Sequence, residues 1–222
     1  MRLYLATVAA DEIAWALEAR LLDGIVATPS VLAAELPLAD PREIIAELAE
    51  PGHTLPIFAS VGSLDPDVIV RGAKDLKKLT EQIVIAVPFV EDTLPAIRRL
   101  SADGIRVAAT LVHSVAQGIL AAKAGASMVV VPVDALEAVG EQAERTIAGL
   151  RAIFARDAVE CDVVVAGPPN AARFGELAAA GADAAVVTPA ALRSFLQHPL
   201  TDRGLDKFLV DVSRRAKPRR AR

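Results

Sequence analysis

Short apolar runs alternate with amphipathic stretches along the whole chain. The runs fall at residues 3–7, 24–27, 55–61, 83–88, 106–110, 128–132, 162–166 and 184–188. The clearest is Ile83-Val84-Ile85-Ala86-Val87-Pro88, an unbroken series of β-branched and small residues set between Glu81-Gln82 and Glu91-Asp92. That is the pattern of a parallel strand covered on both faces. Strands alternating with helices at this spacing imply right-handed crossovers and a parallel sheet. Eight such units imply closure into a single α/β domain, a (βα)8 TIM barrel.

The stretches between the runs carry their own helix signals. Asp11-Glu12 open the first, with Ile13, Leu17 and Leu21 at helical spacing before Asp23-Gly24. Asp40-Pro41 and Asp65-Pro66 each set a capping carboxylate before a proline at the first helical position, predicting helices that run to Leu48 and Leu79. Pro51-Gly52 close the former, with His53 beside them in a loop. Residues 94–100 are amphipathic, Ser114 caps a helix to Lys123, residues 140–154 form the longest predicted helix, and Asn170 caps residues 171–180. Ala124-Gly125-Ala126 and Ala180-Gly181-Ala182 look like two copies of one helix-to-strand turn, each leading into a strand that ends in proline. After the eighth strand, residues 190–196 read as helical and His198-Pro199 stop them. A last helix is predicted over 201–213, capped by Thr201-Asp202, with Leu205, Phe208, Leu209 and Val212 on one face. The expected organisation is a barrel over 1–200, this helix packing outside the barrel or on a neighbouring subunit, and a basic disordered tail over 214–222.

Composition adds a compartment and removes some partners. Hydrophobic residues make up 53% and aromatics only 4%, so the core is built from Ala, Val, Leu and Ile. A net charge of -4 gives no global attraction to nucleic acid or an anionic membrane. The arginine-rich tail lacks interleaved aromatics for base stacking, so no nucleic-acid partner is expected. Cys161 is the single cysteine and sits in an apolar run, as a buried inert thiol would. The N-terminus enters a strand directly, and no apolar run approaches the roughly 18 residues of a membrane span. A cytoplasmic protein without a membrane partner is the expectation.

Several stretches, taken in order, point to one family. They are Leu3-Tyr4-Leu5, Gly24-Ile25-Val26-Ala27-Thr28-Pro29-Ser30, the run 83–88, Thr110 with Gln117-Gly118 beyond it, and His198-Pro199-Leu200-Thr201-Asp202 through Lys207-Phe208-Leu209. In this order the chain resembles the small transaldolase family that includes fructose-6-phosphate aldolase. The resemblance implies a (βα)8 barrel, class I aldolase ancestry in carbohydrate metabolism without a cofactor, and ring-like homo-oligomers in which the C-terminal helix reaches a neighbour.

The family's chemistry rests on a strand-four lysine whose amine forms a Schiff base with a carbonyl substrate, creating an electron sink. The resemblance puts Ala86 at that position, and Ala6 where the family has its proton-transferring aspartate. Thr28 and Val26 fall at the asparagine and threonine of strand two, and Ser60 at the glutamine of strand three. Pro132 falls at the tyrosine that serves the proton-relay water, and Ala135 at the phosphate-binding arginine. Gly167 and Pro169 stand for the serine and basic residue after strand seven, whereas Thr110 keeps a family identity. A methyl group is not a nucleophile. Replacement of nucleophile, acid/base and phosphate anchor together implies a barrel that has lost the aldolase reaction and serves as a non-catalytic ligand-binding, scaffolding or regulatory homo-oligomer.

The candidate pocket residues are Ala6, Thr28, Ser60, Ala86, Thr110, His113, Asp134, Ala135, Gly167 and Asn170, with no catalytic residue, cofactor site or metal site assigned. Two other readings stay open. One is an enzyme of altered chemistry on the same face, using Asp134, His113 and Thr110; the other is an aldolase acting on sugar phosphates, as the resemblance alone suggests. The remaining lysines, Lys74, Lys77, Lys78, Lys123, Lys207 and Lys217, lie on predicted helices or the tail, where solvation keeps an amine protonated. Asp134 with Glu137 offers too few ligands for a metal. Asn170 opens a helix N-terminus to an anion, but Pro168 and Pro169 remove two donors from the approach.

Overall fold

The computed structural model describes residues 1–49 and 54–215, so His53 and the tail beyond Arg215 lie outside the described residues. Eight strands follow one another in chain order around a closed barrel, every neighbouring pair parallel, β8 returning to β1. They are β1 (Arg2–Leu5), β2 (Gly24–Ala27), β3 (Ile57–Ala59), β4 (Ile83–Pro88), β5 (Arg106–Thr110), β6 (Met128–Pro132), β7 (Asp162–Ala166) and β8 (Ala184–Val187). The helices are α1 (Ala10–Glu18), α2 (Pro29–Glu35), α3 (Pro41–Leu48), α4 (Pro66–Lys77), α5 (Leu94–Ala102), α6 (Val115–Ala124), α7 (Val133–Ala138), α8 (Ala143–Arg156), α9 (Ala171–Ala179), α10 (Pro189–Phe195) and α11 (Pro199–Arg215). No helix among the described residues is long and apolar enough to cross a membrane.

Side-chain capping explains where several helices begin. Asp40 accepts a hydrogen bond from the Arg42 N–H at 2.9 Å, Asp65 from Asp67 and Val68, Ser114 from Gln117, and Asn170 from Arg173. Each satisfies an N–H that the first helical turn leaves without a partner. Gly125 and Gly181, the centres of the two similar turns, both adopt left-handed backbone (φ 104° and 103°). A side chain would be strained there, and at Gly125 its Cβ would also lie 2.6 Å from Ser101 Oγ.

The helices depart from the expectations in three places. The predicted 140–154 helix is α8, which begins only at Ala143 because Gly140 stands at φ 79°, and the separate α7 before that glycine had no expectation; the longest helix among the described residues is instead α11, at 17 residues. Helix α2 had no expectation at all, because its seven residues give too little periodicity and Pro29 after Thr28 reads as a loop. The last helix starts at Pro199 and not at Thr201, since proline suits the first turn and His198 Nδ1 accepts from the Leu200 N–H at 3.1 Å. The strands β1, β3 and β8 are shorter than predicted, while the other five keep their expected bounds.

Alternation along the strands divides the core in two. The large core between sheet and helices takes Leu5, Ile25, Ile57, Ile85, Val107, Val129, Val163 and Val187. The barrel interior takes the other face: Tyr4, Val26, Phe58, Val84, Ala108, Met128, Val164 and Ala184. At the N-terminal end the inward positions are charged, with Arg2 and Asp162 paired at 2.7 Å and Arg106 donating to the Gln82 carbonyl at 3.0 Å. Tyr4 and Phe58 close the floor above them, ring centroids 4.7 Å apart. Burial in that floor raises the Tyr4 hydroxyl above its ordinary pKa.

Candidate functional site

Above this floor the inward series continues two residues further along each strand, and the side chains become small. Ala6 follows β1, Ala86 and Pro88 close β4, Ala108 and Thr110 close β5, Val130 and Pro132 close β6, and Ala166 and Val186 complete β7 and β8. Small side chains at the C-terminal ends of the strands leave a cavity of about 690 Å³ at the mouth, where loops following the strands build the sites of this fold. Val26, Phe58 and Leu64 add apolar wall, and Leu111 stands at the rim with left-handed backbone (φ 61°).

The polar side chains lining the cavity carry hydroxyls and gather on the β2, β3 and β5 side: Thr28, Ser30, Ser60, Ser63 and Thr110. Thr28 and Ser30 hydroxyls bond to one another at 3.2 Å. Ser60 Oγ accepts from the Gly62 N–H at 3.4 Å and Ser63 Oγ from the Asp65 N–H at 3.0 Å. Ser60 and Ser63 each retain an O–H proton to donate. No Lys, Arg, His, Asp or Glu side chain lines the cavity among the described residues.

Of the candidate residues, Ala6, Thr28, Ser60, Ala86 and Thr110 line this cavity, Ala86 with 6% of its surface exposed. His113, Asp134, Ala135, Gly167 and Asn170 do not line it. His113 follows β5, where its backbone N–H donates to Gln117 Oε1 at 2.8 Å. Asp134 lies in the first turn of α7 and accepts from the Ala135 N–H at 2.9 Å, with its carboxylate beside Gly167. Asn170 is the cap of α9. No hydrogen bond joins His113 to Asp134 among the described residues.

The lysines are elsewhere. Lys74 and Lys77 on α4 pair with Asp103 and Glu81, Lys78 at the end of α4 pairs with Asp75, Lys123 lies on α6 and Lys207 on α11. Lys217 is outside the described residues.

One cluster near the same end went unread in the sequence. Arg173 on α9 is held by Glu137 of α7 at 2.6 Å, and by Glu144 of α8 and Glu176 of its own helix. Glu137 is therefore engaged with the guanidinium and does not join Asp134 around a cation. The arginine holds the Glu144 carboxyl below the usual glutamate range, and the carboxylates raise the Arg173 guanidinium further. Two of its three partners, Glu144 and Glu137, are 29 and 36 residues away, beyond any local spacing rule.

A closed eight-stranded parallel barrel with a small-residue mouth and an added C-terminal helix defines the class: a (βα)8 protein with its pocket at the strand ends. Comparison narrows the class to a family. The family model described as Transaldolase/Fructose-6-phosphate aldolase matches residues 6–218, and the chain belongs to that family. Among its relatives, a "Probable transaldolase" of Desulfotalea psychrophila is 37% identical over 216 residues, covering 97% of this chain and 99% of the relative. A "Probable transaldolase" of Prosthecochloris aestuarii is 35% identical over 96% of this chain and 98% of its own length. One from Methanococcus maripaludis is 36% identical over 86% of this chain and 87% of its own.

Proposed function

We propose that this family member has lost Schiff-base aldolase chemistry and works in the cytoplasm as a non-catalytic, ligand-binding homo-oligomer. The observation that carries the proposal is the mouth itself, where Ala86 and Ala6 stand at the positions the resemblance aligns with the nucleophile and the proton-transfer acid, and where the polar side chains among the described lining residues are all hydroxyls. An imine needs an unprotonated amine within reach of the carbonyl. Among the described residues no lysine lines the cavity, and Lys74, Lys77 and Lys78 on the outer helix are paired with carboxylates.

Borohydride added in the presence of fructose 6-phosphate, dihydroxyacetone or its phosphate is expected to leave the intact mass unchanged. A stoichiometric adduct on any lysine defeats the proposal. That outcome would favour the second reading, a transaldolase acting on sugar phosphates, which the names of the relatives support. Enzymatic chemistry on Asp134, His113 and Thr110 is less well supported, because only Thr110 of the three lines the cavity.

The oligomer is proposed from α11. Every side chain over residues 196–213 is exposed in the single chain, including Leu205, Phe208, Leu209 and Val212. An apolar stripe of this kind on an element outside a completed barrel marks an interface.

A further inference from the structure

Resting on the non-catalytic reading above and deepening it, we infer that the barrel mouth binds a neutral, largely apolar small molecule anchored by hydroxyl contacts, and that it excludes anions. The cavity of about 690 Å³ is the size of a small-molecule site. Its side-chain wall from β6 round to β8 is carbon, Val130, Pro132, Ala166 and Val186, continued by Ala86 of β4 and Ala108 of β5. Its polarity is confined to the other side, where Ser60, Ser63 and Thr110 offer neutral donors and acceptors. A ligand that fits both sides has an aliphatic or alicyclic body and one or two uncharged oxygens at one end.

The electrostatics decide against an anion. A phosphate or carboxylate entering the mouth gives up water, and no cation among the described lining residues replaces it. The nearby Arg173 is not available to do so, since its guanidinium is held by Glu137, Glu144 and Glu176. The backbone approach to α9 is equally poor, because Pro168 and Pro169 carry no N–H and the Asn170 side chain already caps the first turn. The charged inward residues of the barrel, Arg2, Arg106 and Asp162, lie at the opposite end beneath Tyr4 and Phe58.

Calorimetric titration of the full-length protein at neutral pH with octan-1-ol and with octanoate tests the inference, as the two probes share one chain and differ in the charged end. Saturable octan-1-ol binding, with octanoate about tenfold or more weaker, is expected. Ala86→Phe, or Val186→Phe on the opposite wall, is expected to abolish octan-1-ol binding in whichever variant keeps the wild-type circular dichroism. Ala86→Lys is expected to reverse the preference towards octanoate. Equal or tighter octanoate binding to the wild type overturns the inference, as does absence of saturable octan-1-ol binding or its persistence in a folded, filled variant. Anion binding without a borohydride adduct overturns the ligand class alone, whereas an adduct removes the non-catalytic reading itself.

Discussion

Ala86 shows how little one side chain decides when its neighbours have changed with it. Restoring an amine by Ala86→Lys puts a nucleophile into a mouth walled by Ala6, Ala108, Val130 and Pro132, with hydroxyls as its polar groups. The new lysine would lack the acid that dehydrates a carbinolamine and the cation that anchors a phosphate. Ala86→Lys alone is therefore expected to give no family-like aldolase turnover in a coupled assay, and recovery from this single change would show that the other positions are wrongly matched. Cys161 makes a second residue-scale case. Burial, with Asp162 and Asp183 adding to it, pushes the thiol up to about 12. A thiol-disulfide reagent at neutral pH is expected to leave native protein untouched and to titrate one thiol after unfolding. Rapid reaction of the native protein would contradict the buried assignment.

At the scale of elements, two contacts carry testable weight. Arg173 ties α9 to α7 and α8 across one end of the barrel. Arg173→Met leaves Glu137, Glu144 and Glu176 close together without their counter-charge. Because the cluster is partly exposed, the expected loss is about 1–3 kcal/mol, below that of a fully buried pair. Unlike the wild type, the variant should gain stability as pH falls towards 5, because protonation relieves the repulsion among the three acids. Denaturant melts at neutral pH and at pH 5 check both the size and the sign. Helix α11 carries the other contact, the interface proposed for a second copy of the chain. Burying Leu205, Phe208, Leu209 and Val212 would contribute on the order of 6–10 kcal/mol before the costs of association. Light scattering is expected to show a wild-type oligomer that falls to smaller species in Phe208→Asp or after removal of residues 201–222. A wild-type monomer would leave the stripe without an occupant.

For the molecule as a whole, the carboxylates and the thiol set opposite edges of a stability plateau. Asp67, Asp75, Asp157 and Glu144 are held below their ordinary values by hydrogen bonds from Arg99, Lys78, Arg156 and Arg173. Depressed folded-state values stabilise above the unfolded values near about 4 and lose that contribution as pH falls through the folded ones. The raised Cys161 thiol works the other way: its contribution is complete below the unfolded value of about 8.5 and is lost as pH rises towards about 12. Tyr4, also raised, adds to the alkaline loss. Thermal melts across pH should therefore show falling Tm on both sides of a neutral plateau, with a shallower alkaline limb in Cys161→Ala. An unchanged alkaline limb in that variant would remove the thiol from the account.

Much of the architecture was written locally. Eight apolar runs, capping residues such as Asp65, Ser114 and Asn170, and the glycines at 125 and 181 act over a few residues, and so the strands, most helices and the closed barrel could be read in order. The resemblance to the family marks Ala86 as a candidate, and Thr28 and Thr110 are marked both by it and by their place at strand ends. What it could not carry was which candidates meet. Thr28 and Thr110 reach one cavity, while Asp134 turns to its own helix start and His113 is placed beyond the wall. Glu137 finds Arg173 across 36 residues, and α11 is left with no face of its own barrel to cover. Local backbone preferences set the elements; closure of the sheet, which brings distant strand ends to one axis and sends their neighbours outward, decided the apolar mouth.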